Sequence, residues 1–321
     1  MRFQYILEKI NTAPIIEDPF PHLEIQNIFE QADFNKIIES DDIKLPPAIN
    51  DANLFDILFD KGYRIIEFPG CTENYKEYIN WHSNKKITRK TNTACEGFGV
   101  VLRQENPGSE AVKELVRFLK SRDFVECLAR KFSIESYSFT HDYGIQKYLD
   151  GYEISPHPDI RRKALTYMVN INPDIRSHSY NHHTHYLKFK KEFDYVRTYW
   201  QGNPEIDTCW VPWEWCNTYK CQTENNSMVI FSPGADTLHA VKADYDHLAN
   251  QRTQLYGNLW YENSPATVFG TKWENLQLNT KQNQSAKLNY RSVLSRFLTG
   301  KKLKNIKQKN TGVTHSKRNT R

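Results

Sequence analysis

Two patterns of hydrophobic and polar positions divide the 321 residues of this chain. In the first 135 residues the apolar positions favour helices. Between Val112 and Leu119 they recur at the i, i+3, i+4, i+7 spacing of an amphipathic helix, and Ser109 lies where a helix N-cap is expected. Ser121 is suited to cap a second short helix. The sequence therefore predicts a helix-rich supporting region over residues 1–135.

The pattern changes near residue 136, where short runs rich in aromatic and β-branched residues begin. Turn signals such as Asp150-Gly151 separate these runs, and short strands joined by turns are typical of a β-sandwich or barrel. The clearest runs are Tyr137–Leu149, Lys163–Ile171, Met228–Phe231 and Arg252–Tyr261. Residues 174–222 interrupt the pattern and hold four of the seven tryptophans. We predict an insertion between strands there, a kind of segment that often serves as a lid or binding loop.

Charge is distributed unevenly along the chain. The net charge is +5, but eight basic residues and no acidic residue lie in residues 299–321, which leaves −3 for the remainder. A mildly acidic body argues against a basic nucleic-acid-binding fold, and a nucleic-acid-binding function would depend on the tail alone. The Lys- and Asn-rich composition predicts that 299–321 is a disordered basic tail, whose candidate partner is an anionic surface.

Several classes of protein are disfavoured by the sequence. No apolar run approaches the ~20 residues that a membrane-spanning helix needs. The first ten residues are charged and amphipathic, unlike a signal peptide. The six cysteines include no Cys-x-x-Cys pair. We therefore expect a cytoplasmic protein with reduced thiols.

The segment His157-Pro158-Asp159 is the best candidate for chemistry. Residues i and i+2 of a strand point to the same side, so an imidazole and a carboxylate would converge. His239, which follows the strand-like run that ends at Phe231, is the candidate for a third ligand. Two histidines and one carboxylate form the facial triad of non-haem Fe(II) oxygenases, which leaves three metal positions open. A single His-x-Asp is common by chance, so the prediction depends on its conjunction with His239 and Arg252.

Arg252 supplies the fourth element of this pattern. It opens the last predicted strand and is expected to share one face with every second residue up to Trp260. A 2-oxo dicarboxylic acid could fill two metal positions, and its far carboxylate would then need a buried cation. A guanidinium binds a carboxylate through two hydrogen bonds and stays charged when buried.

These motifs together resemble the Fe(II)/2-oxoglutarate-dependent oxygenases, and specifically their prolyl 4-hydroxylase-like branch. The segment Tyr148–Asp159 resembles the strand and metal motif of that branch, Leu238–Val241 the distal-histidine region, and Arg252–Tyr261 the co-substrate strand. The resemblance covers roughly residues 19–262. It implies a mainly β fold, with a double-stranded β-helix (jelly-roll) core over residues 136–298 and helical support.

The resemblance also implies the roles of individual residues. His157, Asp159 and His239 would bind iron, Arg252 would bind the 5-carboxylate of 2-oxoglutarate, and Tyr148 would add a supplementary contact. O₂ would be the second co-substrate, with ascorbate a candidate reductant. The implied activity is a dioxygenase that hydroxylates its substrate and releases succinate and CO₂, with desaturation as a variant outcome.

The substrate and two other classes of function stay open at this stage. A small molecule or a sugar or glycolipid unit is favoured by the Trp-rich insertion. A prolyl or other protein side chain would match the named relatives instead. One other class is a non-catalytic jelly-roll binding module, against which the intact set of His157, Asp159, His239 and Arg252 argues. The other is a cupin-type metal enzyme that needs no 2-oxoglutarate, in which Arg252 would lack a purpose.

Overall fold

The computed structural model describes most of the chain up to residue 262. The described residues are 2–67, 71–84, 98–104, 106–134 and 139–262. The predicted basic tail over 299–321 and the last part of the predicted core lie outside them. None of the helices among the described residues has the length and apolar character needed to cross a membrane.

Seven α-helices lie in the described part of the chain. They are α1 Tyr5–Thr12, α2 Gln31–Ile38, α3 Asp51–Asp60, α4 Tyr75–Ser83, α5 Glu110–Leu119, α6 Arg122–Lys131 and α7 Tyr195–Gly202. Six of the seven precede residue 135, as the helical periodicity predicts. Ser121 caps α6 by accepting a hydrogen bond from Phe124 N. Ser109 lies at the N-cap of α5 but its hydroxyl makes no capping bond.

The strands of the described residues form two antiparallel sheets. They are β1 Leu23–Gln26, β2 Tyr63–Ile65, β3 Val101–Gln104, β4 Phe139–Tyr148, β5 Glu153–His157, β6 Lys163–Asn170, β7 Thr184–Phe189, β8 Cys216–Cys221, β9 Ser227–Phe231, β10 His239–Lys242 and β11 Arg252–Tyr261. The larger sheet has the order β1-β9-β6-β11-β4-β3-β2, and the smaller has the order β5-β10-β7-β8. From β4 to β11 the chain passes repeatedly between the two sheets, so that each sheet holds four of these eight strands. This is the predicted jelly-roll core.

The helical region and the jelly roll share the larger sheet. Strand β1 pairs with β9, and β3 pairs with β4, so segments from before residue 135 extend the sheet on both sides. This pairing satisfies backbone groups that would otherwise be exposed at the sheet edges. Hydrogen bonding in the larger sheet therefore joins segments from both sides of the predicted boundary at residue 135.

Successive side chains of the central strand β6 point alternately toward the core under the helices and toward the space between the two sheets. On β6 the side chains of Leu165, Tyr167 and Val169 pack into the large core that also contains the buried faces of the helices. Met168, on the opposite face of β6, packs with Tyr256 in a separate cluster between the sheets. Helices therefore cover one face of the larger sheet, and the other face is directed toward the smaller sheet.

The predicted insertion over residues 174–222 contains two strands of the smaller sheet. Strand β7 pairs with β10, and β8 pairs with β7 at the sheet edge. The sequence did not indicate β8 because four of its six side chains are exposed and polar or tyrosine, which gives no apolar alternation. Only the stretch between β7 and β8, which includes α7, is an insertion relative to the strands.

A buried charged cluster joins the helices to the loops of the jelly roll. His82 of α4 lies between two carboxylates, with Nδ1 2.7 Å from Asp51 Oδ2 and Nε2 3.3 Å from Asp150 Oδ2. His247, in the connection from β10 to β11, lies 2.9 Å from the other oxygen of Asp51. Burial alone would lower the pKa of His82, but hydrogen bonds to Asp150 and Asp51 raise it to about 9.

We predict that His82 makes stability depend on pH. Its pKa in the folded chain exceeds that of an unfolded histidine, so its contribution is complete below about pH 6.5 and is lost as the pH rises through 9. The difference in free energy of unfolding between the wild type and His82→Gln should fall by about 1–2 kcal/mol from pH 6 to pH 9.5, after allowance for solvent screening.

Urea denaturation across this pH range measures the difference. The control variant His178→Gln removes an exposed histidine that forms no ion pair with the described carboxylates, and its pH profile should match that of the wild type. A wild-type-to-H82Q difference that stays constant with pH would contradict the prediction.

Candidate metal centre and adjoining cavity

The two histidines of the predicted triad lie side by side in the smaller sheet. His157 ends β5 and His239 begins β10, and the two residues are direct partners in the antiparallel register. Their ring centroids are 4.3 Å apart, and both side chains are buried. The pairing of these two strands therefore brings together residues that are 82 positions apart in sequence.

Asp159 joins the histidines by a route that the sequence did not predict. Strand β5 ends at His157, so Asp159 is not the i+2 residue of a strand. It has a φ of 70°, in the left-handed region that non-glycine residues seldom adopt. This turn, and not strand alternation, directs the carboxylate toward the imidazoles.

The three side chains direct their candidate ligand atoms toward one another. Asp159 Oδ1 lies 3.5 Å from His157 Nε2, and Asp159 Oδ2 lies 3.8 Å from His239 Nε2. The Nδ1 atoms of the two rings donate to backbone carbonyls two residues earlier, at 2.8 Å for His157 and 3.0 Å for His239. Because Nδ1 carries the proton, the Nε2 lone pairs are available to a metal ion.

The surroundings of the ligand atoms distinguish this triad from the other His–Asp–His group of the described residues, Asp51, His82 and His247. Two atoms that each lie about 2.1 Å from an ion, at right angles, are about 3 Å apart. The 3.5 and 3.8 Å separations around Asp159 leave room for an ion. Around Asp51 the separations of 2.7 and 2.9 Å are hydrogen-bond distances, and both ring nitrogens of His82 face a carboxylate, so neither of them is left for an ion.

The protonation states of the triad suit a divalent cation. Burial and the neighbouring His157 lower the pKa of His239 to about 3, so this imidazole is neutral. Burial opposes ionisation of Asp159, but the charge of Lys163 holds its pKa well below its usual range. Lys163 Nζ lies 2.6 Å from Asp159 Oδ1, and Thr166 Oγ1 donates to Oδ2 at 2.8 Å. Neither Lys163 nor Thr166 was predicted to have a role, although both follow the His-x-Asp motif closely.

Arg252 lies across the cavity, at the start of β11 in the larger sheet. It is 2% exposed, and one terminal nitrogen donates to Thr184 Oγ1 at 2.9 Å. The other terminal nitrogen, Nη1, is buried with no hydrogen-bond partner, and no described carboxylate forms an ion pair with this guanidinium. Burial lowers the pKa of Arg252, but a guanidinium remains charged at neutral pH. A buried cation in this condition fits an anionic ligand.

Tyr148 lies beside Arg252, as a co-substrate contact would require. The guanidinium carbon is 4.4 Å from the centre of the Tyr148 ring. The Gln146 amide, oriented so that its oxygen accepts from Arg103 Nη2 at 2.7 Å, donates from its nitrogen to the Tyr148 hydroxyl. The phenolic proton of Tyr148 is then free to be donated to a ligand.

One cavity of about 370 Å³ contains all five predicted site residues. The triad forms part of one wall, and the larger sheet forms the other. The β11 residues that line the cavity are Arg252, Gln254, Tyr256, Asn258 and Trp260. They are every second residue of the strand, so the predicted shared face is confirmed. The volume lies within the range of small-ligand sites.

Part of the Trp-rich insertion covers the metal centre. Val211 N donates to Pro156 O at 2.9 Å, which fixes the segment along β5. The ring of Trp210 lies 5.0 Å from that of His157, and Trp210 lines the cavity. Arg161 donates to the backbone oxygens of Ile206 and Asn203 at 2.9 and 3.1 Å, which ties the insertion to the Asp159 turn.

No protein-family model and no curated protein matches this chain. Similar solved structures include a Trichoplax adhaerens prolyl hydroxylase in complex with a hypoxia inducible factor peptide, at 13% identity and a TM-score of 0.38, covering 81% of this chain and 89% of that one. A Pseudomonas putida prolyl-4-hydroxylase matches at 8% identity and 0.40, covering 81% and 100%.

The epimerase SnoN, in complex with Fe³⁺ and alpha ketoglutarate, matches at 9% identity and a TM-score of 0.37, covering 81% of this chain and 83% of that chain. The descriptions of these structures name hydroxylases and an iron- and ketoglutarate-binding enzyme, the class that the sequence motifs resemble. The likeness is distant, and no residue of this chain takes its role from it.

Arg103, which also lines the cavity, depends on the glycine at position 144. Its Nη1 lies 2.5 Å from Asp142 Oδ1, and the Arg103 side chain crosses β4 over Gly144. A Cβ at position 144 would lie 2.6–2.9 Å from three Arg103 side-chain atoms. We predict that Gly144→Ala displaces Arg103 and lowers the free energy of unfolding by about 1–3 kcal/mol.

The urea midpoint measures this loss. Gly108→Ala is a matched control, because a Cβ there would meet only Asp42 Oδ1, at an ordinary 3.6 Å. A loss in Gly144→Ala no larger than in the control would show that Arg103 adjusts freely.

Proposed function

We propose that this protein is an Fe(II)- and 2-oxoglutarate-dependent dioxygenase that hydroxylates a small molecule or a sugar unit. The proposal rests on one observation: a candidate cation site and a buried cation without an acceptor line the same cavity. The triad offers two imidazole lone pairs and a carboxylate with space for a cation, while Arg252 offers a buried nitrogen with no acceptor. A dicarboxylate that also binds the metal would meet both.

Each predicted residue has a role in this proposal. His157, Asp159 and His239 would hold iron, which suits two imidazoles and one carboxylate. Arg252 would bind the distal carboxylate of 2-oxoglutarate. Tyr148, whose phenolic proton is free, would donate a second hydrogen bond to the same ligand. The ring of Tyr148 and the hydroxyl of Thr184 contact Arg252 and would orient its guanidinium.

The protein would direct chemistry that its ligands supply. Bound iron and 2-oxoglutarate would provide the oxidation, in which O₂ is consumed, succinate and CO₂ are released and an oxygen atom enters the substrate. The chain would orient the reactants and exclude bulk water. The buried walls of the cavity and the insertion over His157 support this screening role.

The cavity supports a compact substrate. Its volume of about 370 Å³ must hold 2-oxoglutarate as well as the substrate. Trp210 and Trp260 offer aromatic faces, and Asn258 offers an amide, a combination suited to a ring that carries hydroxyl groups. A protein side chain that enters from outside is the alternative. A succinate-release screen of sugar and metabolite pools against peptide pools, with Fe(II) and 2-oxoglutarate, separates the two.

We predict that two substitutions separate the metal and co-substrate roles. Asp159→Ala should weaken Fe(II) binding by more than the about 10–100-fold typical of losing an outer-shell partner, and should abolish substrate-coupled turnover. Arg252→Ala should keep Fe(II) but lose about 2–5 kcal/mol of 2-oxoglutarate binding, because a buried charge partner is removed. Anaerobic calorimetric titrations and succinate release measure these effects.

An exposed arginine provides the control. Arg176→Ala removes a guanidinium that pairs with Asp174 at the surface, and it should bind both ligands as the wild type does. Full succinate production by Asp159→Ala would refute the triad. A jelly-roll binding module without catalysis would show neither Fe(II) binding nor 2-oxoglutarate-dependent stabilisation.

A further inference from the structure

We propose that Lys163 sets the charge of the metal centre, so that the centre accepts a doubly negative co-substrate. Its ammonium neutralises the carboxylate of Asp159, and the positive charge of a bound divalent ion is then left for the co-substrate to balance. This inference rests on the proposed function. It adds a positioning residue that neither binds the metal nor belongs to the predicted site.

The geometry around Asp159 gives both carboxylate oxygens a partner within the protein. Lys163 Nζ lies 2.6 Å from Oδ1, and Thr166 Oγ1 lies 2.8 Å from Oδ2. A carboxylate oxygen has two lone pairs, so each oxygen keeps one that can face the histidines. Lys163 and Thr166 therefore hold the carboxylate without using up its capacity to bind a metal.

Lys163 is itself fixed in place. It begins β6, opposite Trp260 of β11, and its side chain is 9% exposed. Its Nζ lies 3.0 Å from the Tyr256 hydroxyl and 5.6 Å from the centre of the Trp260 ring. Since the ammonium is enclosed by these groups, it cannot move to solvent, and its charge acts at the metal centre whether or not a ligand is present.

The charges along the cavity wall explain what this ammonium changes. Lys163 neutralises Asp159, and Arg103 neutralises Asp142 in a second ion pair. Glu67 is exposed. Arg252 is also a buried charge of the cavity wall, but it forms no ion pair with the described residues. With Asp159 neutralised, a divalent ion at the triad and Arg252 would together give the cavity a charge of +3, which attracts a dianion such as 2-oxoglutarate. Without Lys163 that charge would fall to +2, and the attraction for the dianion would be weaker.

The test uses opposite changes in two affinities. Mn(II) is the metal probe and 2-oxoglutarate is the dianion, both titrated by calorimetry against the full chain. In Lys163→Met, loss of a cation that repels metal should leave Mn(II) affinity equal to or above that of the wild type. Affinity of the Mn(II)-loaded protein for 2-oxoglutarate should fall at least ~10-fold. A purely structural role would lower both affinities.

Two further variants at this position isolate the charge. Lys163→Arg keeps a cation and should restore 2-oxoglutarate affinity to near that of the wild type. Lys163→Gln keeps a hydrogen-bonding group for Tyr256 without the charge. It should show the same fall in 2-oxoglutarate affinity with Mn(II) affinity kept, and it provides the test if Lys163→Met folds poorly. Lys188→Met, which removes a surface lysine paired with Asp18, is the control and should match the wild type in both titrations.

Three outcomes would overturn the inference. They are unchanged 2-oxoglutarate affinity in both uncharged variants, a joint loss of Mn(II) and 2-oxoglutarate affinity in both, and failure of Lys163→Arg to restore binding. Each can occur while the wild type binds both ligands, and the proposed function then stands. A wild type that binds neither Mn(II) nor 2-oxoglutarate would instead refute the proposed function.

Discussion

The buried carboxylate of Asp159 is the constraint on which the rest of the structure depends. An ionised carboxylate enclosed by protein needs opposite charges and hydrogen bonds around it. Lys163 and Thr166 supply them from β6 of the larger sheet, and His157 and His239 face it from the smaller sheet. Because the partners come from both sheets, the carboxylate is enclosed only when the jelly roll has formed around the cavity.

Arg252 is a second buried charge in the cavity that Asp159 lines. Arg252 is buried at one end of β11, where Thr184 and the Tyr148 ring contact it but no described carboxylate pairs with it. A sequence selected for stability alone would pair or replace such a cation, because an uncompensated buried charge is costly. Its position in the same cavity as His157, Asp159 and His239 is the basis for the proposal that an anion and a metal bind there together.

The same residue types serve a different purpose at the other histidine cluster. His82 and His247 each lie at hydrogen-bond distance from Asp51, which joins α3, α4 and the connection from β10 to β11. Around Asp159 the Nδ1 atom of each imidazole is bonded to a backbone carbonyl, and the Nε2 atoms face the carboxylate at 3.5 and 3.8 Å. Composition therefore cannot distinguish the two clusters, but the hydrogen bonds of their ring nitrogens can.

The sequence by itself predicted the helical N-terminal region, the shared face of β11 and, through the family resemblance, the jelly-roll class, and it named the three residues whose side chains the structure brings together. These features are recorded in local periodicity and in short motifs. Tertiary structure decided the rest. Strand β8 has no apolar alternation because it lies at a sheet edge, and Asp159 reaches the histidines through a left-handed turn. The partnership of Lys163 with Asp159, and the cover of Trp210 over His157, depend on turn geometry and on contacts between segments distant in sequence, which local patterns do not encode.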